Sequence, residues 1–145
     1  MSQQNVELIV SLQPPQDVDI ARMFRDGATV EALATTLAPI LHPDFEAVVL
    51  GPLRGETTYS GFAGLRELWL DWLSPWEAYR TELEEARDLG DRVLLLVRDF
   101  GRRQGSTREI VLNGAAVWTF RDGKIARAEF HGDRTTALEA VGLEG

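Results

Sequence analysis

Residues 109–132 read EIVLNGAAVWTFRDGKIARAEFHG, two strand-forming stretches joined by Asp122-Gly123. An Asp-Gly pair between such stretches is a strong hairpin signal, because a two-residue turn of this kind needs positive φ at both central positions. Working outward, Tyr79 to Leu89 and Arg92 to Arg102 have the same character and are joined at Gly90-Asp91, while Gly105-Ser106 leads into Glu109 to Arg121 and Lys124 to Gly132 completes the run. Links this short make neighbouring strands antiparallel, since parallel pairing needs a crossover of a dozen or more residues. The C-terminal half is therefore predicted to be a four-stranded antiparallel sheet.

Upstream the period changes from two to 3.6. Val6, Ile9, Val10 and Leu12 crowd one side of a short segment stopped by Pro14 and Pro15. Ile20, Met23 and Phe24 predict a second helix, with Asp17 as its N-cap and Gly27 at its end. Val30, Leu33, Ala34, Leu37 and Leu41 predict a third, broken near Ala38 by Pro39. Asp44 to Leu50 is a strand ending at Gly51-Pro52, and Glu56 to Tyr59 is a weaker one. Ser60 is then a candidate N-cap of the clearest helix, with Phe62, Leu65, Trp69, Trp72 and Leu73 on one stripe before Ser74-Pro75. From Asp133 a short closing helix carries Leu138, Val141 and Leu143.

Composition sets the class. At 145 residues, 44% hydrophobic and 26% charged, the chain matches one globular α+β domain over 1–145, with no linker, repeat or low-complexity tract to divide it. A formal charge of -8 argues against nucleic acid, whose binding draws on Lys and Arg neutralising phosphates. The absence of cysteine removes disulfides and thiolate chemistry. No run reaches membrane-spanning length and MSQQNVELIV lacks the features of a secretory signal, so the expected address is cytoplasmic, with no membrane contact. Val93-Leu94-Leu95-Leu96-Val97 is apolar on both faces, and a second subunit is the simplest cover for the face that helices leave open, hence an expected homodimer.

The order of elements, with His42-Pro43-Asp44, Tyr59-Ser60-Gly61, Val117-Trp118-Thr119-Phe120-Arg121-Asp122-Gly123-Lys124-Ile125 and Asp133-Arg134 at their places in it, resembles the SnoaL-like branch of the nuclear transport factor 2-like superfamily over about residues 17 to 143. The resemblance implies a cone-shaped sheet, antiparallel and mixed at most at its edge, wrapped around N-terminal helices and a cavity, with convex sheet faces pairing into dimers. It also implies a cofactor-free protein with a pocket for a small apolar or polycyclic molecule. Relatives include polyketide cyclases, ketosteroid isomerase, limonene epoxide hydrolase and non-catalytic binding modules, so fold does not select a reaction.

Catalytic relatives place carboxylates in an apolar cavity, where desolvation raises the pKa toward the working pH. Asp99 fits that role as base, since it continues the face of Val93, Leu95 and Val97; the alternative places it in solvent, paired with Arg98, Arg102 or Arg103. Counting from Asp122-Gly123, Asp99 is similar to the first aspartate of the epoxide hydrolases, but Val97 replaces their arginine and Phe130 stands where a second aspartate is expected. A one-residue slip would bring in Glu129 only with a bulge. Epoxide hydrolysis therefore ranks below a one-base isomerase or cyclase reaction, with a non-catalytic ligand-binding or dimeric interaction module of the same fold as the alternative.

A neutral donor for that reaction could come from Tyr59, Tyr79 or His42, or from the indole of Trp69, Trp72 or Trp118. His42, between a helix end and Pro43, also suits a turn-fixing role. Trp69 and Trp72 would wall the pocket or simply fill core, and Leu95, Val97, Leu112, Ala116, Trp118 and Phe130 would complete the wall. His131, opposite in parity to Phe130, should face away from the cavity. Two isolated histidines make no metal site, so none is expected. Arg98, Arg102, Arg103 and Arg108 surround a hairpin tip that would be solvated or hold an anion.

Overall fold

In a computed structural model describing residues 2–51 and 55–142, the elements run α1 (Ser2–Ser11), α2 (Ile20–Arg25), α3 (Gly27–Leu37), β1 (Leu41–Gly51), β2 (Gly55–Ser60), α4 (Gly61–Leu73), β3 (Trp76–Asp88), β4 (Arg92–Arg103), β5 (Glu109–Arg121), β6 (Lys124–His131) and α5 (Arg134–Ala140). The expected Pro52 and Leu143 lie outside the described residues. The strands form one α+β sheet in the order β2-β1-β6-β5-β4-β3, in which every neighbouring pair is antiparallel except β1 with β6. Asp122 and Gly123 turn the last hairpin at φ 56° and 76°, the positive values that the Asp-Gly pair signals. Register shifts in β3, β6 and the β1–β6 pair curve the sheet, because an extra residue on one strand bends it and increases its twist.

Helices α1 to α4 fill the concave side. Ile9, Leu37, Leu65 and Leu68 pack against Phe45, Ala47, Val49, Val93 and Leu95 in the principal core, and Ile20, Phe24 and Leu73 meet Trp76 and Tyr79 in a neighbouring one. On the convex side Leu94 and Leu96 of β4 and Ala115 and Val117 of β5 lie beneath Ala137 and Leu138 of α5. The two-sided apolarity of β4 thus finds its cover within the chain, at the position where a second subunit was expected to supply it. Arg134 holds α5 there, donating to Val97 O at 2.8 Å and to Glu84 at 2.5 Å.

Several boundaries differ from the sequence reading. The N-cap of α2 is Asp19, not Asp17: it directly precedes the first helical residue and its Oδ1 accepts from Ala21 N at 3.0 Å, whereas Asp17 lies in a turn two residues earlier. Gly27 opens α3 instead of ending α2, because extended Asp26 serves both as C-cap of α2 and N-cap of α3. Leu41 belongs to β1, and Ser60 precedes α4 without a side-chain capping bond. No helix among the described residues is long and apolar enough to cross a membrane.

Candidate functional site

Strands β3 and β4 place three polar side chains on the concave face by register. Thr81 pairs with Asp99 and Tyr79 with Gly101, and the period of two puts Tyr79 and Thr81 on the same face. A bulge decides this pairing. From Asp88↔Val93 to Glu85↔Leu96 the register is regular, and continuing it would set Glu82 opposite Asp99; the shift between Leu83 and Glu85 brings neutral Thr81 there instead. Gly101 completes the arrangement, since a Cβ on it would lie 2.5 Å from the Trp76 ring, which packs beside Tyr79 with ring centroids 5.6 Å apart.

Asp99 accepts two hydrogen bonds, from Tyr79 OH to Oδ2 at 2.6 Å and from Thr81 Oγ1 to Oδ1 at 2.5 Å. Trp72 Nε1 in turn donates to Tyr79 OH at 3.0 Å, so α4 reaches the carboxylate through a chain of two neutral donors. Asp19 and Arg25 fix the start of β3 from the helix side. Oδ1 of Asp19 takes the Tyr79 N–H at 3.1 Å while capping α2, and Arg25 donates to the Leu73 and Trp76 carbonyls at 2.9 and 2.7 Å.

Burial raises the Asp99 pKa above the ordinary aspartate range, against the opposing pull of the Thr81 and Tyr79 hydrogen bonds. Tyr79 is pushed far upward, first by its own burial and then by the Asp99 charge, so it stays a protonated donor at any working pH. The arginines near Asp99 in sequence lie elsewhere. Arg98 pairs with Glu84 at 3.2 Å, Arg102 with Glu77, and Arg103 lies 5.5 Å from the Trp76 ring centre. The solvent-paired alternative for Asp99 is therefore not what the fold adopts.

Asp99 and Thr81 border a hollow of about 270 Å³ between sheet and helices. Of the residues expected in a wall, Trp69, Trp72, Val97, Ala116, Trp118 and Phe130 line it. Two do not. Leu95 is fully buried in the principal core, and Leu112 packs toward the Trp76–Tyr79 cluster, one layer away. Phe130 meets Trp69 and Trp118 nearly edge-on, with centroids 5.2 and 5.8 Å apart, and Phe24 stacks on Trp69 at 5.7 Å. The loop after α1 contributes Leu12, Pro14 and Pro15 to the wall, a segment that sequence periodicity assigned no role beyond stopping a helix.

Tyr59 and His42 lie away from Asp99. The Tyr59 hydroxyl donates to Asp71 at 3.0 Å, and His42 Nδ1 accepts the Asp44 N–H at 3.0 Å beside Arg121 and Asp122, which is the turn-fixing arrangement. Tyr79 holds the place beside the carboxylate instead. Glu129 sits opposite Val117 in the ladder, on the other face from Phe130, with Arg127 at 3.2 Å and His131 at 3.4 Å. No slip brings it to Asp99. His131, opposite Ala115 in the ladder, lies on that same far face with its side chain 1% exposed, yet it is also among the residues that line the hollow, from which it was expected to be turned away. Among the described residues no group of three His, Asp or Glu could hold a metal ion. Thr81 was not singled out from sequence, although the alternation Tyr79-Arg80-Thr81-Glu82 carries its face.

Comparison with known proteins gives the same architecture. TerC, in a crystal structure with polyporic acid, is 26% identical, with 84% of this chain and 89% of that one covered and a TM-score of 0.59. A protein with a ketosteroid isomerase-like fold from Catenulispora acidiphila DSM 44928, solved with trimethylamine, is 17% identical over 90% and 95% of the two chains at a TM-score of 0.56. A protein described as a SnoaL-like polyketide cyclase from Jannaschia sp. CCS1 is 14% identical over 81% and 89% at 0.57. The last two likenesses are ones of fold. A search of the curated proteins finds no match. The SnoaL-like domain model matches residues 20–128, from the start of α2 into β6. The chain belongs to the SnoaL-like domain family, with a nuclear transport factor 2-like fold related to that of polyketide cyclases.

Proposed function

We propose that the hollow is a small-molecule pocket and that Asp99 is the general base of an isomerase- or cyclase-type reaction on an apolar substrate with a C–H bond beside a carbonyl. One observation carries this reading: a carboxylate at an apolar wall, held by two neutral hydroxyls and raised in pKa by burial. A carboxylate so placed has more proton affinity than one in water, as removal of a carbon-bound proton demands. The electrons of the broken C–H bond pass to the carbonyl, forming an enolate, and Asp99 holds the proton for return or for loss to solvent. Tyr79, steadied by the Trp72 N–H, gives its one O–H to Asp99 and orients the base from behind the wall of the hollow. The volume, about 270 Å³, is near the lower end of ligand sites and suits a substrate of one or two rings.

A second reading, a pocket that binds without turnover, is favoured by Val97 and Phe130, which are apolar where the epoxide hydrolases resembled at these positions carry polar groups. Deuterium exchange separates the two. Incubated in D2O with a panel of mono- and bicyclic ketones, the wild type should exchange the α-hydrogens of a bound ketone above the buffer rate, and Asp99→Asn should lower that rate by roughly 10²- to 10⁴-fold. A ketone that quenches the pocket tryptophans yet exchanges only at the buffer rate would leave the binding module as the function.

A further inference from the structure

The partners of Asp99 are both neutral, Tyr79 OH and Thr81 Oγ1, and no cation lies against it among the described residues. Buried charge without a counter-ion is costly, and proteins ordinarily pair it or neutralise it. The nearby cations are committed: Arg98 to Glu84, Arg102 to Glu77, and Arg103 to the Trp76 ring. Among the described residues no Lys or Arg lines the hollow, Asp99 is the one carboxylate that does, and His131 is the one imidazole. Among the described residues, then, Asp99 has no counter-ion at a place where a ligand can supply one.

The rest of the wall favours the same ligand charge. Trp69, Trp118 and Phe130 bring aromatic rings to the hollow, and aromatic π-systems attract cations while excluding water. The chain's formal charge of -8 biases the surrounding field toward cations as well. An anion entering this space meets a like charge with no Lys or Arg among the described lining residues to offset it, and the one imidazole of the lining, His131, lies beside Glu129 at 3.4 Å.

We propose that the pocket binds a hydrophobic monocation, an ammonium group on a compact apolar body, with the positive charge against Asp99. Each carboxylate oxygen keeps acceptor capacity beyond its single hydroxyl bond, so an ammonium N–H is accommodated without displacing Tyr79 or Thr81. The inference rests on the pocket reading of the hollow; an ammonium against Asp99 lowers the carboxylate's proton affinity, so such a cation competes with the ketone for the site and is not its substrate.

Three molecules of one shape and different charge test it: 1-adamantanamine, protonated at neutral pH, 1-adamantanol, and adamantane-1-carboxylate, titrated against the full chain by tryptophan fluorescence and calorimetry. The expected order is ammonium, then alcohol, then carboxylate, with about tenfold between the first two. Asp99→Asn should collapse the ammonium-to-alcohol ratio to about one, with alcohol binding and circular dichroism reporting that the variant is folded. Equal binding of ammonium and alcohol by the wild type, or a ratio that survives in Asp99→Asn, overturns the charge preference and leaves the pocket. Binding of none of the three removes the pocket reading along with it.

Discussion

The two faces of β4 are built from one run of apolar residues and end differently. On the convex face Leu94 and Leu96 are sealed under α5, and the next residue of that face, Arg98, reaches an exposed pairing with Glu84. On the concave face Val93 and Leu95 are sealed under the helices, but Val97 borders the hollow and the next residue, Asp99, has only hydroxyl partners. A convex charge met by its opposite at the surface contributes little and does no chemistry. A concave charge kept from water and from cations keeps its proton affinity. The same strand therefore separates a face that closes the fold from one that holds a buried carboxylate at a hollow, and the separation is one of packing density and charge partner, not of residue type.

The contrast can be broken first by stability. Leu94, fully buried, sits where surrounding atoms cannot collapse into a void, so Leu94→Ala should cost about 2–5 kcal/mol in urea unfolding. Val97 already faces empty space, so Val97→Ala should cost about 1 kcal/mol, close to the transfer term for the methyl groups lost. Equal losses at the two positions would mean that the hollow is filled and that the concave face is ordinary core.

A smaller effect follows at the hydroxyl chain. Tyr79→Phe removes one donor to Asp99 and the acceptor of the Trp72 N–H, a loss of about 1–3 kcal/mol. With that donor gone the charged carboxylate is less favoured, so the Asp99 pKa should rise further. A carboxyl-carbon NMR titration reads it; an unchanged or lower value would show that Tyr79 does not act on the carboxylate.

Most of the fold was legible because its decisive signals are local. Asp122-Gly123 fixes a hairpin through φ alone, and alternation in β3 to β6 needs no distant partner. What sequence could not supply is register across shifts and separations. Thr81 faces Asp99 only because of the bulge before it, and an unshifted count from Gly90-Asp91 names Glu82, which would have suggested a carboxylate pair. Asp19 was missed for a related reason: its side chain serves α2 and, sixty residues later, the Tyr79 N–H, so its choice over Asp17 is made partly by β3. Tyr59 and Tyr79 are level as donors in the sequence, because convergence on Asp99 is set by β3 pairing with β4. Asp99 itself was recoverable, since parity with Val93, Leu95 and Val97 places it on the inner face.

The smallest expected effect is the one that most directly reads the concave charge. Asp99 holds its proton more tightly in the folded chain than in the unfolded one. Between the ordinary aspartate value and its raised folded value, the folded state binds more protons, so stability falls as pH rises through that window and is level above it. One proton sets the limit at about 1.4 kcal/mol per pH unit. Glu129 acts with the opposite sign: the His131 hydrogen bond holds its pKa down, and its contribution is lost as pH falls through the depressed value. Comparing wild type with Asp99→Asn removes Glu129 and every other shared group from the difference, and the amide's own hydrogen bonds add only an offset without slope. Urea unfolding across pH 4 to 8 should therefore show the wild type losing stability relative to Asp99→Asn as pH rises, then running parallel to it. Curves parallel throughout would mean that Asp99 titrates as it does in water, and the two faces of β4 would then differ in shape but not in the proton affinity of the charges they carry.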